Sequence, residues 1–317
     1  MRGMELAQFC ASSRIVIVAG KGGVGKTTVV ATLATMAARS GLSVLVVEVE
    51  GKSGLSACLG LPPLAYEEVE ATPGLRVRAL SADDALLEYL DQRGLHRISG
   101  RLVRSGTIDV VATAIPGMRD ILLLGKVKQL EQSASAPDLI LLDAPAAGHA
   151  ITFLLSPRGL QDAVRMGPVR QQADEVVEML ADPSRCQVLL VTLPEETPVN
   201  EVAETAYTLE DRVGIALGPV VVNQCLPARW SGAPNAVADA ALAGVSVSDH
   251  DAAALDAATG FVGARRAIHQ EQIDRLAKML PLPQIQLPFL NEEIGPEAIG
   301  HLADAFAAQV TAMKAPT

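Results

Sequence analysis

The chain has 317 residues, enough for one large α/β domain or two smaller ones. Apolar residues make up 49 % of it and charged residues 20 %, a composition that can bury a sizeable core and excludes wholesale disorder. The formal net charge of -10, from 26 basic and 36 acidic side chains, argues against a general nucleic-acid binder, which needs a basic face for phosphates. Cys10, Cys58, Cys186 and Cys225 form no C-x-x-C pair, so neither a disulfide framework nor a cysteine zinc site is expected. With no signal-peptide pattern and no apolar run reaching roughly 18 residues, cytoplasm is the expected compartment.

After a short lead-in over residues 1–12, the apolar run Ile15 to Ala19 reads as a strand and Val29 to Ala38 as a helix. Between them lies Gly20-Lys21-Gly22-Gly23-Val24-Gly25-Lys26-Thr27-Thr28, a full phosphate-loop pattern. Glycines at 20, 22, 23 and 25 let successive backbone N–H groups curl around a phosphate, and the helix starting near Lys26 adds its free N–H groups and dipole. Lys26 can reach β- and γ-phosphates, and the Thr27 hydroxyl can complete the shell of a Mg²⁺ ion. A Gly-rich turn with a surface lysine is the plain alternative, and it leaves the strand-loop-helix placement unexplained.

Ser43 to Val49 is the second strand, ending in Glu48-Val49-Glu50-Gly51-Lys52-Ser53-Gly54 at the edge where ligands collect in open parallel sheets. Leu75 to Leu80 suggests a strand nearer an edge, followed by a helix over Asp83 to Leu90 capped by Ser81. Leu95 to Thr113 has no clear pattern. Pro116-Gly117 is a turn, and Met118 to Gln132 has helical spacing. Asp138 to Leu142 is a short apolar strand that ends in Asp143-Ala144-Pro145-Ala146-Ala147-Gly148-His149. An acid at the end of a buried strand is costly without a use, and beside a phosphate loop that use is holding Mg²⁺.

Residues 151–182 are interrupted by Pro157, Gly159 and Pro168 before a helix from Arg170 to Leu180. Strands are expected over Cys186 to Leu193, Ile215 to Val222 and Pro281 to Leu290. Helices are expected over Val199 to Glu210, Arg265 to Leu280 and Pro296 to Met313. Ala228 to Gly263, which contains Trp230, reads as a loop passing into a helix. The alternation predicts one doubly wound α/β unit over 1–317, with a mostly parallel sheet of about seven to eight strands and small helical elaborations around 83–132 and 151–182.

These residues resemble the deviant-phosphate-loop ATPases of the arsenite-pump and tail-anchored-protein-targeting group, relatives of the MinD/ParA and nitrogenase-iron-protein NTPases. The likeness rests on K-G-G-V-G-K-T-T, the segment after Val49, Pro116-Gly117, Asp143 to His149, and Val222-Asn223-Gln224 with Leu287-Pro288-Phe289. It implies ATP and Mg²⁺ as cofactors, the latter on Thr27 and Asp143, and a homodimer or a heterodimer with a related ATPase. Lys21 would reach across that interface to phosphates held by the other subunit. Asn223 would hydrogen-bond adenine, with Pro288 and Phe289 near the base. The Asp143–His149 segment would respond to the γ-phosphate and pass its state to a protein client or membrane partner.

Two departures stand out. Where relatives place Asp-Pro-Ala-His, with the Asp positioning the attacking water, this chain has Glu50-Gly51-Lys52-Ser53, and a misplacement of about 1 Å can slow a reaction on the order of a hundredfold. Ala146 replaces the usual Thr after Asp-x-Pro. Hydrolysis is therefore open between a working ATPase and a slow or non-hydrolysing ATP-binding subunit beside an active partner. The family's zinc-binding C-x-x-C is absent, so no zinc is expected, and Met118, Met166 and Met179 read as packing residues. A small-molecule kinase would need an acceptor pocket that no motif supplies, and a DNA-positioning ATPase is disfavoured by the acidic charge.

Overall fold

The computed structural model describes residues 6–10, 12–49, 54–92, 94, 117–145, 147–227 and 236–313. Continuous Val/Ile/Leu runs form strands covered on both faces. β1 (Ile15–Gly20), β2 (Val44–Val49) and β5 (Leu139–Asp143) are buried at every position. With β3 (Val69–Thr72), β4 (Leu75–Leu80), β6 (Cys186–Thr192), β7 (Ala216–Cys225) and β8 (Gln284–Pro288) they make one sheet of eight strands, ordered β3-β4-β2-β5-β1-β6-β7-β8. Neighbours are parallel throughout except β3, which runs antiparallel to β4.

The described helices are α1 (Leu6–Cys10), α2 (Lys26–Arg39), α3 (Gly54–Leu59), α4 (Ala82–Gln92), α5 (Met118–Gln132), α6 (Ala147–Ala163), α7 (Pro168–Ala181), α8 (Glu196–Thr208), α9 (Ala236–Leu242), α10 (Asp249–Met279) and α11 (Pro296–Ala312). Alternate residues along each strand serve opposite faces. Val16, Val18, Val46 and Leu141 pack with α2 and α11, whereas Ile15, Ile17, Val47 and Leu142 pack with α5, α6 and α7. On the first face Phe306 is fully buried and meets Phe9 edge-to-face at 5.9 Å. Phe306→Ala should therefore cost about 3–5 kcal/mol of stability, read as a lowered urea midpoint with unchanged slope.

Four local features depart from the sequence expectations. β3 is an additional edge strand whose Val-Glu-Ala-Thr is largely exposed and gives no apolar run. α6 continues through Pro157 rather than breaking there. Proline cannot donate to the Phe153 carbonyl one turn earlier, and the Ser156 hydroxyl donates to it instead at 2.9 Å. α10 starts at Asp249, well before Arg265, because Ser248 caps it by accepting the Asp251 N–H at 3.1 Å and an Ala-rich stretch follows. At the sheet's outer edge the Gln309 amide bonds the Gln286 backbone N–H and C=O at 2.8 and 2.5 Å, standing in for a further strand. Residues 95–113, Pro116, Ala146 and 228–235, with Trp230, lie outside the described residues.

Candidate functional site

The carboxyl ends of β1, β2 and β5 meet where the chain turns from one half of the sheet to the other, the usual ligand crevice of such sheets. β1 feeds the loop from Gly20 to Gly25, and α2 leaves it at Lys26. Two glycines there are fixed by contact. A Cβ on Gly20 would stand 2.4 Å from the Val191 carbonyl oxygen of β6, and one on Gly25 would stand 2.3 Å from Asn223 Nδ2. Gly25 also caps α2 at φ 87, in the left-handed region, with no side-chain capping bond and no acid in the first turn of the helix. The first N–H groups of α2 are thus left to a ligand, beside the positive end of its dipole.

Asn223 holds the loop from the far side. Its amide, buried in β7, donates to the Val24 carbonyl at 3.0 Å. Below the loop the Thr27 hydroxyl donates to Asp143 Oδ2 at 2.6 Å, joining the helix start to the end of β5, where Asp143 is 6 % exposed. Lys26 Nζ donates to the Lys21 carbonyl at 3.1 Å, and Lys21 Nζ forms an ion pair with Glu201 of α8 at 2.6 Å. The loop lysine expected to face another subunit is held here by its own chain. A Cβ on Gly54 would lie 3.3 Å from Thr27 Cγ2, so α3 packs directly on the loop threonine.

A further acid belongs to this crevice. Glu48, 2 % exposed, stands opposite Asp143 in the β2–β5 register and accepts the Leu55 N–H of α3 at 3.4 Å. Its signal in the sequence is a single carboxylate inside Val-Leu-Val-Val-Glu-Val. Burial raises the Cys58 thiol above its ordinary range, against a hydrogen bond with Thr28 and with the charges of Asp143 and Glu48 adding to the rise. It is a protonated packing group there, not a nucleophile.

Pro288 is the register partner of Cys225, and the Phe289 N–H bonds the Cys225 carbonyl at 2.8 Å. These two residues therefore sit two positions beyond Asn223, at the ends of β8 and β7, with Phe289 exposed. Glu50 lies outside the described residues. Among the described residues no group of three or more His, Cys, Asp or Glu is placed to hold a metal. A cation at this site would take the Thr27 and Asp143 oxygens, hard donors suited to Mg²⁺, with ligand and water oxygens completing its shell.

A glycine-lined loop between the first strand and its helix, its threonine on a strand-end aspartate, defines a P-loop nucleotide-binding protein. The family model described as "Anion-transporting ATPase" matches residues 13–174. The ATPase BagA of Mycobacterium tuberculosis is 34 % identical over 321 residues, covering 93 % of each chain. The arsenical pump-driving ATPase of Escherichia coli is 31 % identical over 218 residues, 67 % of this chain and 35 % of that one. That of Acidiphilium multivorum is 30 % identical over 228 residues, 66 % and 39 % respectively. The chain belongs to this family of ArsA-type P-loop ATPases, a class defined by ATP binding and hydrolysis. Among the described residues no helix is long and apolar enough to cross a membrane.

Proposed function

We propose that this chain is a Mg²⁺-dependent cytoplasmic ATPase that works as a homodimer or with a related ATPase, coupling nucleotide state to a protein client or membrane partner. The observation that carries it is the 2.6 Å bond from Thr27 to Asp143, which gathers the two hard oxygen donors at the mouth of the phosphate loop. Gly22, Gly23, Val24, Gly25 and Thr28 would supply backbone and helix-start donors to the phosphates. Lys26 would neutralise charge on the β- and γ-oxygens, and bound Mg²⁺ would supply further charge neutralisation there. Asn223 carries its amide oxygen on the side away from its bond to Val24, available to an adenine amino group. Asp143 leads directly into α6, a rigid route by which γ-phosphate state could reach the helical face.

Lys21 would act on phosphates of a second subunit once released from Glu201. Under this reading the Lys21–Glu201 pair holds the lone chain in a resting arrangement, and it favours the slow end of the activity range. Both groups are partly solvated, and such pairs contribute at most about 1 kcal/mol, so Glu201→Ala should raise ATP turnover a few-fold. The rise should be largest at low protein concentration, where association limits turnover. Turnover that falls, or that is unchanged at every protein concentration, would show that Lys21 needs no release. ATP turnover with and without Mg²⁺ tests the function itself, and absence of any ATP binding would overturn it.

A further inference from the structure

Away from the phosphate loop, the ends of β7 and β8 and the overlying helix α10 enclose a cleft of about 290 Å³. Its polar lining includes Arg266, His269, Gln270 and Gln286, and its apolar walls include Pro227 and Pro288. His269 is 6 % exposed, yet neither of its ring nitrogens has a hydrogen-bond partner. Leaving a buried polar group unsatisfied costs about 1–3 kcal/mol, so an imidazole facing a cleft with both nitrogens unmet marks a place a ligand can complete. Burial lowers the proton affinity of His269, and Arg265 lowers it further against the opposing charge of Glu195. The ring is therefore neutral near pH 7 and offers one donor and one acceptor.

The charge of the cleft selects the ligand. No carboxylate lines it, and Arg266 makes no ion pair among the described residues, whereas its neighbour Arg265 is paired with Glu195 at 3.0 Å. An unpaired guanidinium in a half-apolar cleft attracts an anion and repels cations. The lone cation and small volume suit a single negative charge better than a polyphosphate. Cys225 adds no chemistry, since burial pushes its thiol up to about 12 and it donates to the Val222 carbonyl.

We propose that this cleft binds a small monocarboxylic acid with a flat or short apolar body, its carboxylate on Arg266, its body against Pro227 and Pro288, and His269 completing its polar contacts. The site is separate from the phosphate loop but joined to it through β7: Cys225 lines the cleft, and Asn223, two residues earlier, holds the Val24 carbonyl.

The test uses the full chain labelled with ¹⁵N-histidine, the His269 ring signals being assigned with His269→Gln. Sodium benzoate and sodium hexanoate are titrated at fixed ionic strength, with sodium phosphate and benzylammonium chloride as comparisons. One of the two carboxylates should shift the His269 signals saturably, with a dissociation constant on the order of 1 mM for a ligand of about nine heavy atoms. Arg266→Ala, at a half-exposed position, should weaken that binding at least about tenfold, the loss of a charge-assisted contact. Should His269→Gln fail to fold, the carboxylate-induced rise in melting temperature and its loss in Arg266→Ala replace the assignment. No saturable shift or melting rise with either carboxylate would overturn the proposal. Equal binding of phosphate or benzylammonium, or unchanged binding in Arg266→Ala, would overturn it equally.

Discussion

Lys26→Ala should lower ATP turnover by about two to three powers of ten, the scale set by removing one preorganised charge from a developing phosphoryl centre. Lys26 is the first residue of α2, and the loop brings its ammonium back to the Lys21 carbonyl at 3.1 Å, over the glycine curve. That carbonyl is a stand-in acceptor, and a phosphate oxygen with full negative charge would compete well for the same ammonium. The substitution leaves the backbone of the loop intact, because Lys26 has ordinary helical geometry and no packing partner in the core. Circular dichroism and urea stability should therefore stay near those of the parent while steady-state phosphate release falls. Turnover equal to the parent would place the reacting phosphate elsewhere.

Gly25→Ala should remove nucleotide binding by a different route, through the shape of the loop. At φ 87 an alanine costs about 1–2 kcal/mol for left-handed backbone. Its Cβ would also meet Asn223 Nδ2 at 2.3 Å and displace the amide that holds the Val24 carbonyl, leaving buried polar groups unpaired at a further cost of about 1–3 kcal/mol. The sum, about 2–4 kcal/mol, should appear as a lower urea midpoint together with at least about tenfold weaker ATP binding. Gly22→Ala is the control: a Cβ there has no atom within 4 Å, so its stability should change by no more than about 0.5 kcal/mol. Equal stability losses in the two variants would mean that the Asn223 contact does not shape the loop.

The phosphate loop could be read from spacing because the same glycines satisfy two demands, tight backbone contact with β6 and room for a ligand. Asp143 was legible for a related reason, since an acid at the end of an apolar run is conspicuous. Glu48 is equally conspicuous by that logic, but it lies inside the run rather than after it, where strand pattern alone gives no hint that it faces Asp143. The hold of Asn223 on Val24 and of Glu201 on Lys21 spans 199 and 180 residues of sequence, and only the strand order brings those pairs together. β3 escaped because its residues are polar and exposed, and the early start of α10 because alanine and aspartate carry helix propensity without an apolar stripe. The continuity of α6 through Pro157 depended on one serine hydroxyl, a compensation invisible to residue preference.

The most direct measurement is calorimetric titration of ATP into the parent and into Asp143→Asn, each with and without Mg²⁺. With the cation held between Thr27 and Asp143, Mg²⁺ should tighten ATP binding by the parent at least about tenfold, and Asp143→Asn should lose most of that gain while still binding the free nucleotide. An identical Mg²⁺ effect in the two proteins, or no ATP binding by the parent, would contradict the assignment of this crevice as the nucleotide site.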